Sequence, residues 1–161
     1  MKTNIGIKPE HLAEVAQSLN KLLADEHVLY IKTRNAHWNV EGHDFRGKHA
    51  FFEEQYGQLA IIIDQVAERI RSLGHYAVAS LGDYLKLTQL TEKPSEDNDS
   101  LGFIKELLED HESIIIHLRE NIDKYADDYK DQGTSDFITG LMETHEKMAW
   151  MLRAHLMKKG K

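Results

Sequence analysis

The sequence predicts an all-α fold, a bundle of four long helices with one long crossover between the second and the third. Proline occupies only 2 of 161 positions, so long helices meet few obligatory breaks. Four segments carry apolar residues at three- and four-residue spacing, the period of one buried helix face. Between the second and third of these, residues 75–98 are mixed and end in the polar run SEDNDS, as a connection would.

The first segment opens at Pro9, a residue suited to a first helical turn. It keeps small or apolar side chains at 12, 15, 19, 22, 29, 33 and 36 as far as about Trp38. Gly42 and Asp44 interrupt the pattern, and a second segment runs from about Phe45 to Leu73, with Gly74 as its C-terminal cap. In the crossover, punctuated by Gly82 and Pro94, SLGDYLKLT has room for two or three helical turns. Asp99 or Ser100 caps a third segment, striped by Leu101, Ile104, Leu108, Ile115, Leu118 and Ile122 through to about Asp128. The turn KDQGTSD offers Gly133 as a stop and Thr134 or Ser135 as the next start. Ile138, Leu141, His145, Met148, Leu152 and His155 then stay in phase. A long crossover sets the second and third helices parallel, which is the ferritin-like topology rather than simple up-and-down. The length suits one domain over residues 1–161, with a tail over 1–8 and a short basic tail over 158–161.

Cysteine is absent, which excludes disulfides, thiolate zinc sites and cysteine nucleophiles; any metal must be held by nitrogen and oxygen. A net charge of −7 argues against a general polyanion binder. Lys158, Lys159 and Lys161 are the best candidates for a DNA contact, with Lys2 and Lys8 at the other end. No apolar run reaches the length of a signal peptide core or a membrane span, so a soluble cytoplasmic protein is expected.

Bundles of this topology can hold two metals in the core with Glu-x-x-His pairs. None of the 10 histidines here has an acid three residues before it, and HExxH is missing too. The second segment instead carries His49 with Glu53, and Asp64 with Glu68, each pair four apart and on one face. The two pairs lie roughly 16 Å apart along the axis, so one chain cannot close a site from both. Two chains can. Positions 49 and 68, and 53 and 64, share a midpoint within Gly57 to Leu59. An antiparallel pair of these helices about a two-fold axis there sets His49 opposite Glu68, and Glu53 opposite Asp64, and does so twice. His37, at the end of the first helix, is placed to complete each site. Two imidazoles and three carboxylates suit Fe(II) and tolerate Mn(II) or Zn(II). The plainer reading, acids on a solvated helix face, stands beside this one; Phe51, Phe52, Leu59, Ile62, Ile63 and Val66 leave that helix little face for water.

HWNVEGHDFRGKHAFFEEQY followed by DQVAERI, and LMETHEKMAWMLRAHL near the end, resemble the signature of the Dps family, the mini-ferritins that guard bacterial DNA. The resemblance implies a hollow homododecamer of 23 symmetry with ferroxidase centres at its two-fold interfaces. His37, His49 and Glu53 would come from one subunit and Asp64 and Glu68 from its partner, around a di-iron centre. Glu53 departs from the aspartate common at that place in the family. The implied activity is Fe(II) oxidation, with hydrogen peroxide preferred to oxygen, and storage of ferric mineral. Trp38 matches the family's aromatic residue that takes up a stray oxidising equivalent, or else packs at an interface; Tyr56 is a weaker candidate for the same role. Asp127, Asp131 and Asp136 fall where the family's acidic pores admit iron, with Asp123 and Asp128 competing for the place of Asp127. The competing class is a structural DNA-binding shell whose metal site is weak or filled by zinc. His43, His75, His111 and His117 read as surface or structural residues, and His145 and His155 as core or interface ones.

Overall fold

The computed structural model describes residues 3–93 and 99–156. Five α-helices follow in order: α1 (Pro9–Asn39), α2 (Phe45–Ser72), the short α3 (Leu81–Leu87), α4 (Ser100–Asp123) and α5 (Gln132–Leu156). A single π-helical turn, Lys124–Asp128, continues α4. Among the described residues there is no strand, only an isolated bridge between Glu41 and Asp99. None of the helices is long and apolar enough to cross a membrane. Lys158, Lys159 and Lys161 lie outside the described residues, as do Lys2 and Pro94.

α1 packs chiefly on α2 and α4 on α5, while α3 lies against α1. Leu19, Leu22 and Leu29 of α1, Phe52 and Leu59 of α2, Phe103, Ile104 and Ile114 of α4, and Met148 and Leu152 of α5 are buried in one core. Phe52 and Phe103 meet edge to face with centroids 6.3 Å apart, joining the two hairpins. Each such side chain contributes about 1.5–3 kcal/mol by leaving water.

The crossover is held by polar side chains. Asp25, 2% exposed on α1, accepts hydrogen bonds from the Thr88 hydroxyl and the Gln89 amide, both at 2.7 Å. Lys32, also buried, donates to the Thr91 carbonyl at 3.1 Å and pairs with Asp110 and with Glu106 at 3.0 Å. Buried charges need such partners. At the other end of the bundle, the Ser100 hydroxyl donates to Asp44 at 2.8 Å, tying the α1–α2 turn to the start of α4 and holding the Asp44 carboxyl below its ordinary pKa.

Two boundaries differ from the sequence expectation. Asp99 is the cap of α4, its carboxylate accepting from the Leu101 and Gly102 amides at 3.0 and 2.9 Å. The α-helix that follows ends at Asp123 rather than near Asp128, and the wider π turn carries Tyr125 into the core, where its hydroxyl donates to Ser18 at 2.6 Å. Burial pushes the Tyr125 phenol up to about 12. α5 starts at Gln132, before Thr134, because Asp131 is the capping residue: its carboxylate accepts from the Thr134 amide at 2.9 Å, and its carbonyl from the Ser135 amide at 3.0 Å. The reversal of the chain falls on Lys130, at φ 58°, so Gly133 sits inside the first turn and stops nothing. Gly74 does close α2, at φ 88°, with Thr3 packed where a side chain would stand.

Candidate metal centre

His37 sits in the last turn of α1 and His49 in the second turn of α2, brought abreast by the reversal at residues 40–44. Each ring Nδ1 donates to the other residue's backbone carbonyl, both at 2.8 Å. A carbonyl can only accept, so both Nδ1 atoms carry a proton, and in the neutral form of each ring the lone pair is left on Nε2. The rings stack at 3.7 Å between centroids, inclined by 23°. This reciprocal lock fixes tautomer and ring orientation together, the service that backbone carbonyls give to metal-bound histidines. The donor set therefore fits a divalent cation: two imidazole Nε2 atoms, with Glu53 one turn beyond His49 on the same face of α2. Tyr56 borders the pair, its ring edge-on to His37 at 5.2 Å.

Glu53, Asp64 and Glu68 are all exposed in the subunit. This differs from the expectation that apolar neighbours would bury them. Phe52, Leu59, Ile62 and Val66 turn into the bundle's own core, leaving a second stripe of α2 uncovered. Gly57, Ala60 and Ile61, the last 61% exposed, lie on that stripe between Glu53 and Asp64. Among the described residues no group of three or more His, Asp or Glu side chains converges within one subunit. His37 and His49 are brought together; Asp64 and Glu68 lie about four and five turns beyond His49 along α2.

Trp38 is 60% exposed at the end of α1, and its ring faces the Arg34 guanidinium at 4.6 Å. Of the acids expected at an ion-entry pore, Asp127 and Asp136 are exposed. Asp131 is not: it is 2% exposed, with its carboxylate taken up by Arg69 at 3.1 Å and by the amide and hydroxyl of Thr134. Its place is inside the turn, bracing α2 against α5. His43 is exposed and His75, His117 and His155 are half-buried.

One polar cluster went unread. Glu26 of α1, His145 of α5 and His111 of α4 are 0, 0 and 1% exposed and form a chain across three helices. His145 Nε2 donates to Glu26 at 2.9 Å, and the Nδ1 atoms of His145 and His111 share a hydrogen bond of 2.9 Å. The second Glu26 oxygen, Oε2, is buried without a partner. Both nitrogens of His145 are thus engaged on opposite sides of the ring, which makes the chain a proton-sharing relay rather than a convergent ligand set. Burial and the neighbouring His145 hold His111 well below its ordinary pKa.

A helix pair locked at His37 and His49, joined to a second pair through a long crossover, defines the ferritin-like class, and the ferritin-like domain family matches residues 16–159. The chain is 43% identical over 155 residues to a low temperature-induced protein of Nostoc sp., covering 96% of this chain and 87% of that one. It is 36% identical over 143 residues to DNA protection during starvation protein 2 of Bacillus anthracis, covering 89% of this chain and 97% of the other. The crystal structure of a Dps protein from Vibrio cholerae, described as a member of the ferritin-like diiron-carboxylate proteins, superposes with a TM-score of 0.90 at 34% identity over 98% of both chains. The chain belongs to the Dps family of ferritin-like proteins.

Proposed function

We propose that two copies of this chain build a pair of ferroxidase centres across a two-fold axis, and that twelve copies form a shell storing the ferric product. The observation that carries this reading is the reciprocal lock of His37 and His49, which leaves both Nε2 atoms outside the lock, one helical turn from Glu53 along α2. The uncovered stripe of α2 supplies the rest. Antiparallel packing about its midpoint brings Asp64 and Glu68 of one copy to His49 and Glu53 of the other, and covers Ile61. That burial supports association, since an exposed apolar stripe rimmed by acids is the pattern of an interface.

In this site the imidazoles bind Fe(II) as neutral ligands, and the three carboxylates balance charge and stabilise the ferric product. Two irons held together give one electron each, so hydrogen peroxide receives two electrons in one place and cleaves to hydroxide without releasing a radical. DNA is spared because peroxide and free Fe(II) are removed together. Trp38, beside His37, is placed to surrender an electron when only one iron is present. Asp127 and Asp136, exposed around the π turn, are the carboxylates for drawing cations through the shell, while Asp131 holds their turn in shape. Zn(II) or Mn(II) would fit the same donors. DNA binding rests on the basic C-terminal residues and would have to overcome the −7 charge of each subunit.

Anaerobic Fe(II) loading of a mass-checked assembly, then peroxide addition followed optically, tests the reading. Rapid oxidation that falls at least a hundredfold in His37→Ala and Glu68→Ala is expected. Kinetics unchanged in both variants would refute the site, and gel retardation of DNA with little oxidation would favour a DNA-binding shell instead.

A further inference from the structure

Tyr30, Arg34 and Trp38 follow one another four residues apart on a single stripe of α1. The Arg34 guanidinium carbon lies 4.6 Å from the Trp38 ring centroid, 4.8 Å from that of Tyr56 on α2, and 5.6 Å from that of Tyr30. Nη1 donates to the Tyr30 hydroxyl at 2.7 Å, while Nε is buried with no hydrogen-bond partner. Among the described residues Arg34 makes no ion pair. A permanent cation is thus held by three oxidisable rings instead of a carboxylate, and one of those rings, Tyr56, stands edge-on to the candidate ligand His37.

The attraction between Arg34 and these rings exists because their faces are electron-rich. A ring that loses an electron becomes positive, and the sign of the interaction reverses. An oxidised indole beside Arg34 therefore loses an attraction and gains a repulsion at under 5 Å. A tyrosine escapes part of this by releasing its hydroxyl proton with the electron, but a tryptophan radical cation keeps its charge while the ring nitrogen stays protonated.

We propose that Arg34 is a positioning residue that sets the threshold at which Trp38 gives up an electron. The inference rests on the iron–peroxide reading only for its oxidant. Peroxide that meets a single Fe(II) takes one electron and splits into hydroxide and hydroxyl radical; the radical takes a second electron from Trp38, leaving hydroxide and an indole radical cation. Arg34 makes that second transfer unfavourable for anything milder than such a radical, so Trp38 is spent only when the two-electron reaction fails.

The test uses the metal-free assembly and a mild outer-sphere oxidant, hexachloroiridate(IV), with Trp38 and Trp150 oxidation resolved by peptide mass mapping. In Arg34→Gln, Trp38 should oxidise about ten-fold faster than in the unmodified protein, a fraction of the full Coulomb effect at this distance and partial exposure. Arg34→Lys should restore most of the protection, and Trp150, which is not among the rings that Arg34 faces, should not change. Should Arg34→Gln fail to assemble, the unmodified protein carries the same test. In dissociated folded subunits, where Trp38 and Trp150 are 60 and 62% exposed, Trp38 should react several-fold more slowly than Trp150, and equally in denatured chains. A Trp38 rate that ignores Arg34→Gln, or equal rates in the folded protein, would overturn the proposal. Because no iron is involved, these outcomes are independent of whether the ferroxidase reading holds.

Discussion

Acid should loosen this subunit through His111. The ring is 1% exposed and hydrogen-bonded to His145, and burial, with His145 beside it, keeps its pKa well below 6.5. From α1 it is approached through His145 by Glu26; from α4 its neighbour Asp110 turns away to Lys32. The buried residues of α2 are Phe52, Gln55, Leu59, Ile62, Val66 and Ile70, none of them titratable. In the unfolded chain His111 binds a proton below about pH 6.5, and in the core it does not. Its contribution is therefore complete above that pH and is lost as pH falls toward the folded value. The loss has a ceiling, set by the unfolded chain, of about 1.4 kcal/mol at pH 5.5 and under about 0.1 kcal/mol at pH 7.5. His117, half-buried and lowered for the same reason, adds to the effect, so the comparison must be with His111→Leu. Urea unfolding at fixed subunit concentration, at both pH values, should show the unmodified protein losing more than the variant on acidification, by up to about 1.3 kcal/mol. His111→Leu will be weaker at both pH values, because His145 loses a partner, but the difference between them should shrink. Equal acid losses in the two proteins would refute this assignment of the buried relay.

Further consequences concern the α4–α5 turn and the core. Asp131→Ala removes a helix cap and a partner of Arg69, and should cost about 2 kcal/mol in thermal or urea unfolding, with Asp131→Asn losing less. Lys130→Gly relieves the left-handed backbone at φ 58° and should raise stability by up to about 1 kcal/mol; a lower midpoint would contradict the geometry of the turn. Phe103→Ala, which empties the contact between the two hairpins, should cost about 3–5 kcal/mol.

The helices could be read from the sequence because their information is local. Pro9, Gly74 and the three–four spacing of leucines and isoleucines mark α1 and α2 without reference to any other part of the chain. The α4–α5 turn misled because Gly133 is the conspicuous residue there, whereas the left-handed position went to Lys130 and the cap to Asp131, whose burial depends on Arg69, 62 residues away. The relay was illegible for the same reason: Glu26 and His145 are 119 positions apart, and nothing in the local pattern tells a histidine packed among leucines from one hydrogen-bonded across three helices. Near His37 and His49 the chain doubles back within twelve residues, so their pairing showed in the sequence, while their mutual Nδ1–carbonyl lock needed coordinates. The exposure of Glu53, Asp64 and Glu68 was misjudged because the apolar residues of α2 serve the subunit's own core and leave the acid face bare.

The central claim is that each metal site draws ligands from two chains, and mixing two inactive variants tests it most directly. His49→Ala damages one half of the site and Glu68→Ala the other. In a dimer of one variant with the other, the first site carries both lesions and the second carries none. Assemblies reformed from an equal mixture should therefore regain about a quarter of the full complement of sites, because about half the dimers are mixed and each has one intact site. Recovery of about a quarter of the peroxide-dependent Fe(II) oxidation rate, from parents that have almost none, is the expected result. Mixtures of verified composition that stay as inactive as their parents would place the ligands within a single chain and contradict the inter-subunit centre.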